Sequence, residues 1–285
     1  MAPQFTLYSF VGSQWAGVAH LAIAEKGISK NDYIVKEVDL VTAENFEPEY
    51  LKINPHGTVP SLVSSSLEKP LVQSADILRY VDNLGKSTLV PTDSDVRRRS
   101  QEIIDLVHSH DADTNTILFT ARGDEEMKAK KASMWNGFLQ NRQDKLEKEH
   151  AAAPDNAFYR FKRAENASVQ IHYATDIGKD HEQFYKTSHQ SYKAFANSLN
   201  KLEDLLVGPY AAGNFVTEAD FHVVPWLSHA LWGAGTEPSE IQNFEVLESL
   251  ICKSEPGFSF GPKTRAWWKK ISETKSFKQV FPHLH

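Results

Sequence analysis

Residues 54–60 of the chain read NPHGTVP, and this stretch decides the expected fold. The apolar and β-branched residues from Val59 to Val63 predict a short strand. Pro60 stands at the start of that strand, where a proline is unusual, because it fixes φ and lacks the amide proton of a strand ladder. Taken alone, Pro60 also fits a plain turn from a loop into a strand.

A second informative stretch begins 13 residues after Pro60 and reads QSADILRY. Ser74 is a good N-cap residue for a helix, and a helix N-terminus attracts anions. An α-carboxylate placed there would gain hydrogen bonds from free amides, and Gln73 would contact the ammonium or carboxylate beside it. Capping alone explains Ser74 equally well.

The first 85 residues alternate between strand and helix patterns. Short apolar runs predict strands, Gly27 and Gly85 end two amphipathic segments as C-caps, and the order is β-α-β, a loop, then β-β-α. The predicted elements are Phe5–Phe10, Trp15–Lys26, Tyr33–Leu40, Val59–Val63, Pro70–Val72 and Ser74–Leu84. This order predicts a small mixed sheet with helices on its faces.

The remainder of the chain is predicted to be helical. Residues 87–95, rich in proline and serine, are the expected linker, and 3.6-residue periodicity predicts helices over about 96–120, 125–149 and 183–206. The polar stretch 151–179 gives no firm prediction.

Composition limits the class of protein. The chain has 285 residues, which favours two domains, and a formal charge of −6, which argues against nucleic acid or an anionic membrane as the main partner. No apolar run approaches the roughly 20 residues of a membrane span, and no secretory signal is visible. The single cysteine, Cys252, excludes an internal disulfide framework and any multi-cysteine metal site, so a reduced, cytoplasmic compartment is expected.

A third motif lies in the helical half, where residues 208–220 read GPYAAGNFVTEAD. Thr217 and Asp220 have the spacing of a capping box, in which Thr217 caps a helix and Asp220 reaches back to its amide. We expect this box to be structural. A weaker fourth motif is TRAWW at residues 264–268.

Together these motifs resemble the cytosolic glutathione transferases, which carry an Asn-Pro-x-Gly-x-Val-Pro segment, a Glu/Gln-Ser pair, the capping box and a closing helix in this order. The resemblance covers roughly residues 5–90 and 183–281. It implies the glutathione transferase fold: a thioredoxin-like α/β domain (βαβ-ββα, four-stranded mixed sheet) over residues 1–86, and an all-α bundle over 96–285. The length suggests a fungal-type member whose helical domain is enlarged by an insertion near 122–181.

The resemblance also implies glutathione as co-substrate and a set of residues that hold it. In the family the proline of the Val-Pro pair is cis, and the preceding residue pairs with glutathione as a neighbouring strand would. The expected glutathione-binding residues are Ser13, His56, Thr58, Val59, Pro60, Gln73 and Ser74. Ser13, at the start of the first helix, is the expected catalytic residue and the natural N-cap. Ser9 is the reserve, and Tyr8 fits the family register less well; strand alternation puts these two on opposite faces.

Two features depart from the family pattern. The basic residues that bind the glycine carboxylate of glutathione are not obvious around Thr42 to Pro48, and Lys36, Lys52 and His56 are the possible substitutes. The insertion carries several aromatics among charges, which suits a lid over the second-substrate pocket, a dimer contact, or a helix pair covering its own apolar stripe.

Trp15, His108 and Asp111 are the expected residues of the acceptor pocket. The sequence HSHDAD at 108–113 could suggest a metal site, but helical residues two apart do not face each other, so no metal is expected.

The leading functional hypothesis is a homodimeric glutathione S-transferase that activates the glutathione thiol for attack on a hydrophobic electrophilic small molecule. The alternatives are a glutathione-dependent lyase, isomerase or etherase, and a non-catalytic binding or regulatory protein of the same fold, such as an elongation-factor-type domain.

Overall fold

A computed structural model describes residues 3–85 and 89–284; positions 1, 2, 86–88 and 285 lie outside it, so the predicted linker 87–95 is described only from Leu89 onwards. The N-terminal part contains three strands and three helices within the described residues. They are β1 Phe5–Ser9, α1 Gln14–Glu25, β2 Tyr33–Glu37, α2 Pro48–Leu51, β3 Ser61–Val63 and α3 Ser74–Asn83.

The sheet has the order β2-β1-β3, with β1 parallel to β2 and antiparallel to β3. The expected mixed sheet is therefore present, but the predicted fourth strand over 70–72 is reduced to one antiparallel bridge between Leu62 and Leu71. Pro70 cannot donate to a ladder, which explains why the pairing stops beside it.

Ten helices follow in the described part of the chain. They are α4 Ser94–Val107, α5 Asn115–Phe119, α6 Asp124–Ala132, α7 Met134–Ala152, α8 Ala157–Ala174, α9 Glu182–Leu205, α10 Glu218–Ala234, α11 Glu245–Cys252, α12 Pro262–Ser272 and α13 Lys275–Val280. Three predicted helical regions are helical, and α8 fills the stretch that gave no prediction.

Two of the predicted helices are broken where polar side chains offer the backbone another partner. The helix predicted over 96–120 ends at Val107 and resumes as α5. The one predicted over 125–149 divides at Ser133, whose hydroxyl accepts the Trp135 amide and caps α7. Serine competes with helical bonding in this way, and periodicity alone does not reveal the break.

The central helix α10 is buried along nearly its whole length and begins with the predicted capping box. Asp220 Oδ2 accepts the Thr217 amide at 2.8 Å, and its Oδ1 accepts the Ala211 amide and the Trp267 indole, each at 2.8 Å. Burial raises the pKa of Asp220, while these donors act against that shift. The carboxyl joins the loop before α10 to α12, which is a structural role.

Helix α1 packs against α3 on one side and against α10 and α13 on the other. Gly17 allows the close crossing with α10, because a Cβ there would lie 2.8 Å from Pro225 Cβ and 2.5 Å from a Leu284 methyl. This contact fixes the start of α1, and with it Ser13, relative to the helical region.

Candidate functional site

Ser13 occupies the N-cap of α1, as expected from the sequence. Its hydroxyl oxygen accepts the Ala16 amide proton at 3.4 Å, and the first turn of α1 contains no acidic residue. A hydroxyl that accepts through its oxygen still has its own proton to donate. That proton and the partial positive charge of the α1 N-terminus therefore lie at the same place.

The motifs at 54–60 and 73–74 flank a short antiparallel contact. The Val59-Pro60 peptide is cis. Leu62, two residues after Pro60, pairs with Leu71, two residues before Gln73, in an isolated bridge. The Val59 amide and carbonyl make no hydrogen bond with any described residue. A backbone amide and carbonyl that are both free are able to pair with a peptide-like ligand.

The loop before Val59 is held by side chains of its own domain. The Tyr50 hydroxyl and the Asn54 amide both donate to the Thr58 carbonyl, at 2.6 and 2.7 Å. The Asn45 amide donates to the Gly57 carbonyl at 2.7 Å. These bonds satisfy the carbonyls of Gly57 and Thr58 and leave the amide and carbonyl of Val59 without a partner.

Helix α3 begins at Ser74, with Gln73 in the N-cap position and no side-chain capping bond. The expected capping by the Ser74 hydroxyl is therefore absent. Gln73 is exposed and Ser74 is buried. The first turn of α3 is left without the side-chain acceptor that usually covers it, which suits an external anion.

A cavity of about 480 Å³ lies between the N-terminal domain and the helices. Ser13, Trp15, Thr58 and Val59 line its N-terminal wall. On the helical side the lining is mostly apolar and aromatic, and six of its residues come from α5, α7 and α10: Leu118, Phe119, Met134, Trp135, Phe138 and Trp232. A mostly apolar, concave site with a few polar groups on one side is the usual form of a small-molecule pocket.

Aromatic side chains of α5, α7 and α10 form one wall of the cavity. Phe119, Trp135 and Phe138 contact one another with ring centroids 5.3 to 5.8 Å apart, and Trp135 also contacts Trp232 at 5.8 Å. Edge-to-face and stacked arrangements at these distances stabilise aromatic clusters. Of the residues predicted to belong to the insertion near 122–181, Met134, Trp135, Phe138, Arg142 and Lys162 line the cavity, while Trp135 also packs against apolar residues of α7 and α8.

The α7–α8 hairpin is fastened to the loop that follows β2. The Tyr159 hydroxyl donates to the Phe46 carbonyl at 3.0 Å, Asn141 donates to the Val41 carbonyl at 3.1 Å, and Lys145 pairs with Glu47 at 2.8 Å. The buried residues Ala43, Phe46, Leu146 and Tyr159 form a small apolar cluster under these bonds. The insertion and the N-terminal domain thereby share one boundary of the cavity.

His229 of α10 lines the cavity and is joined to the start of α1 by Thr114. The Thr114 hydroxyl donates to Gln14 Oε1 at 2.9 Å, and its oxygen lies 2.8 Å from His229 Nδ1. Because the Thr114 proton is used on Gln14, His229 Nδ1 must be the donor, and its Nε2 is then a proton acceptor. Burial lowers the pKa of His229 to about 4, so the ring is neutral at pH 7.

Several predicted site residues lie outside the lining of this cavity. His56 is exposed in the turn before Gly57. Tyr8 packs beside Tyr50 at 6.0 Å between ring centroids, and Ser9 is buried on the opposite face of β1, where its hydroxyl lies 2.8 Å from His20 Nε2. Ser9, His20 and His283 line a second cavity, which Ser13 also lines. Of Tyr8, Ser9 and Ser13, only Ser13 also lines the cavity bounded by Thr58 and Val59, which favours Ser13 over the two alternatives.

Of the three expected acceptor-pocket residues, only Trp15 lines the cavity. His108 stacks on Trp15 at 3.8 Å between ring centroids and lies 2.8 Å from His222 of α10, because α4 ends at Val107 and leaves His108 at its C-cap. Asp111 lies in a short 3₁₀ turn and lines an exposed groove against α9. His108 thus contacts the cavity wall only through Trp15, and neither His108 nor Asp111 is part of the lining.

The described residues contain no group of three or more histidine, cysteine or acidic side chains placed to hold a metal ion. None of the helices within 3–85 and 89–284 is long and apolar enough to cross a membrane.

Comparison with known proteins agrees with this architecture. The family model for the glutathione S-transferase N-terminal domain matches residues 3–83. Glutathione S-transferase 1 of Dianthus caryophyllus is 32% identical over 245 residues, which cover 86% of this chain and 84% of that relative. Glutathione S-transferase 3 of Glycine max is 31% identical over 134 residues, which cover 46% of this chain and 58% of that relative.

Among solved structures, the β-etherase LigF from Sphingobium sp. strain SYK-6 matches with a TM-score of 0.62 at 18% identity, over 98% of this chain and 99% of that chain. The fold and the motifs define a thioredoxin-like domain followed by a helical domain, the architecture of the cytosolic glutathione transferases. The chain belongs to the glutathione S-transferase family.

Sequence reasoning missed the residues that reach the cavity from the helical region. Trp135 and Phe138 were marked only as aromatics within the insertion, and Arg142 and His229 carry no sequence signal. Arg142 is one of many cations in a polar helix, and His229 becomes distinctive only because Thr114 lies beside it. Contacts with residues far away in sequence, such as that of Arg142 with Phe46 and that of Trp135 with Trp232, are what place them at the site.

Proposed function

We propose that the protein is a glutathione transferase in which Ser13 stabilises the glutathione thiolate for attack on a hydrophobic electrophile in the interdomain cavity. The observation that carries this proposal is the Ser13 hydroxyl. The oxygen of this hydroxyl accepts the Ala16 amide proton and so caps α1, while the hydroxyl proton stays free to donate. Ser13 lines the same cavity as Val59, whose backbone groups have no partner.

Each part of glutathione has a matching group. The free Val59 backbone pairs with the cysteinyl residue as a strand would, which brings the sulfur towards Ser13. Gln73 and the first turn of α3 receive the γ-glutamyl end, whose α-carboxylate accepts hydrogen bonds from free amides. The bridge between Leu62 and Leu71 holds the segment after Pro60 beside the segment before Gln73, which supports this assignment of the two groups.

The energetics are consistent with thiol activation. Lowering the thiol pKa from about 8.5 to about 6.5 requires roughly 2.7 kcal/mol of extra stabilisation of the thiolate. A hydrogen bond to a charged group supplies about 1.5 to 3 kcal/mol, and a helix N-terminus adds about 0.3 to 1 kcal/mol. Ser13 and α1 together reach the required magnitude.

In the reaction the thiol proton leaves to solvent and the thiolate forms a carbon–sulfur bond with the electrophile. The leaving group departs with the electron pair of the bond that breaks. The aromatic wall of Phe119, Trp135 and Phe138 holds the electrophile and excludes water from the sulfur.

Calorimetric titration with glutathione, followed by a conjugation assay with 1-chloro-2,4-dinitrobenzene, tests the proposal. We expect saturable binding and glutathione-dependent formation of the thioether. No binding at millimolar glutathione would overturn it. Light scattering in the same buffer tests the expected homodimer.

His229 favours a second candidate reaction, glutathione-dependent ether cleavage or isomerisation, because a neutral imidazole with a free acceptor nitrogen can move a proton on the bound acceptor. The name of LigF, a β-etherase, makes a β-aryl ether the natural probe. The reaction is supported if His229→Gln lowers the glutathione-dependent release of the phenol more than it lowers thioether formation. Absence of phenol release by the unchanged protein would exclude it for this class of ether.

A further inference from the structure

Arg142, from helix α7 of the insertion, brings a cation into the cavity. Its guanidinium carbon lies 4.5 Å from the centroid of the Phe46 ring and 5.2 Å from that of Phe138. Two aromatic rings near a guanidinium fix its position and leave its N–H groups directed along its edges.

No described residue forms a hydrogen bond or an ion pair with Arg142. Burial lowers the pKa of the guanidinium to about 10, while the more distant charge of Glu165 opposes that shift. A partly buried charge without a partner is costly, because desolvation is not offset by a counter-charge. The arginine retains its protonated form at pH 7 and has five N–H donors to offer.

The charges around Arg142 leave a net positive end to the cavity. None of the residues that line the cavity is acidic. The other cation in the lining, Lys162, already pairs with Glu165 at 2.6 Å. One unpaired positive charge therefore faces the cavity, which matches a group with a single negative charge better than it matches a phosphate dianion.

The chemistry of a guanidinium selects among monoanions. Its planar fork presents two parallel N–H groups that match the two oxygens of a carboxylate, and such bidentate pairs are shorter and stronger than ordinary hydrogen bonds. The segment against which Arg142 packs, residues 39–47, contains no lysine, arginine or histidine of its own. The insertion thus supplies a cation to a part of the N-terminal domain that has none.

We infer that Arg142 is the receptor for a carboxylate of a molecule bound in the cavity. The inference rests on the proposed function, because that function supplies carboxylate-bearing substrates from two sources. One is the glycine end of glutathione, and the other is an acid group on the electrophilic acceptor. Both would meet Arg142 through the same pair of charge-assisted hydrogen bonds.

The first experiment measures glutathione by calorimetry against its glycine monoethyl ester, in which that carboxylate is masked. Variants Arg142→Met and Arg142→Lys are compared with Arg160→Met, which removes the same charge from an exposed position of α8 outside the cavity lining. If glutathione is the source, Arg142→Met weakens glutathione binding at least 10-fold, Arg142→Lys weakens it less, and Arg160→Met has no effect. The ester binds the unchanged protein as weakly as glutathione binds Arg142→Met.

The second experiment tests the acceptor as the source, and its binding measurement needs no glutathione. Binding of 4-chloro-3,5-dinitrobenzoate is measured by calorimetry, and its conjugation is then compared with that of 1-chloro-2,4-dinitrobenzene. If the acceptor is the source, Arg142→Met lowers affinity for the benzoate at least 10-fold and lowers its kcat/KM by a similar factor. For 1-chloro-2,4-dinitrobenzene, which carries no charge, Arg142→Met lowers kcat/KM far less.

If both ligands bind Arg142→Met and the unchanged protein equally, the assignment of Arg142 is overturned while the transferase proposal stands. If glutathione fails to bind the unchanged protein, the transferase proposal falls, and the benzoate titration still decides the role of Arg142. Circular dichroism melting of each variant separates loss of binding from loss of fold, and the ester comparison uses only the unchanged protein.

Discussion

The two walls of the interdomain cavity present different chemistry. The wall built by the start of α1 and by residues 57–59 offers the hydroxyls of Ser13 and Thr58 and free backbone groups. Its loop is held by bonds from Asn45, Tyr50 and Asn54. The wall built by α5 and α7 offers aromatic rings and the guanidinium of Arg142.

This difference separates two tasks. Backbone groups and a hydroxyl that caps a helix have fixed directions, so the first wall suits a ligand whose structure is constant. Aromatic surfaces have few directional demands, so the second wall suits ligands that vary. The helical hairpin of the insertion, fastened at Phe46 by Tyr159, sets the distance between the walls.

Removing the Ser13 hydroxyl should have the largest effect. In Ser13→Ala we expect kcat/KM for 1-chloro-2,4-dinitrobenzene to fall about 100-fold or more, since one donor to a developing or existing anion contributes this magnitude. The pKa of bound glutathione, followed by thiolate absorbance against pH, should rise towards its free value. Glutathione affinity below that pKa should change little, because most contacts are with the peptide backbone.

Ser9→Ala is the matched control for Ser13→Ala, because the Ser9 hydroxyl lies 2.8 Å from His20 on the far side of β1. It should retain activity per folded molecule and the thiol pKa of the unchanged protein. Loss of activity in Ser9→Ala with retention in Ser13→Ala would reverse the assignment.

Gly57→Ala tests the boundary between the walls. Gly57 has φ of +60°, and a Cβ there would lie 2.6 Å from the Phe158 ring of α8 and 3.1 Å from the Asn45 carbonyl. Left-handed backbone and crowding should together lower the free energy of unfolding by about 2 kcal/mol, measured by urea denaturation.

The double variant with Phe158→Ala measures how much of this loss comes from the insertion. Removing the ring relieves its clash but not the backbone strain, so the two changes should couple by about 1 kcal/mol. Strict additivity would show that the insertion does not rest on this turn.

The histidines that join the walls to α10 should make the protein sensitive to acid. Burial lowers the pKa of His20, His108 and His229 to about 4, and that of His222 well below its ordinary value. Unfolding releases these rings to protonate near pH 6.5, so the unfolded state binds more protons and stability falls as pH drops from about 6.5 towards 4.

His229→Gln should reduce the proton uptake on unfolding by about one in this interval, measured from the slope of the unfolding free energy against pH. The difference between the two proteins at pH 7.5 reports the lost contact with Thr114 and serves as the internal reference. An unchanged slope would show that His229 is already charged in the folded protein.

The N-terminal wall could be predicted from the sequence, and the insertion wall could not. Ser13, Thr58 and Val59 lie in short motifs set by local backbone geometry, which neighbouring residues determine, so their spacing was informative. Arg142 and Trp135 act through packing against residues about 100 positions away, and no local pattern specifies that. His108 lies at the C-cap of α4 and stacks on Trp15, a contact that periodicity does not reveal.

Tyr159→Phe should have the smallest effect and the most specific one. The change leaves the buried Phe46 carbonyl without its donor at 3.0 Å, which should cost about 1 kcal/mol in the free energy of unfolding. Tyr185→Phe is the control, because the Tyr185 hydroxyl bonds Asp124 at an exposed position where water replaces it.

If Tyr159 sets the distance between the walls, its loss raises KM for the hydrophobic acceptor while the dissociation constant of glutathione stays the same. A rise in both constants by the same factor would instead mean that the Phe46 bond supports the N-terminal wall alone.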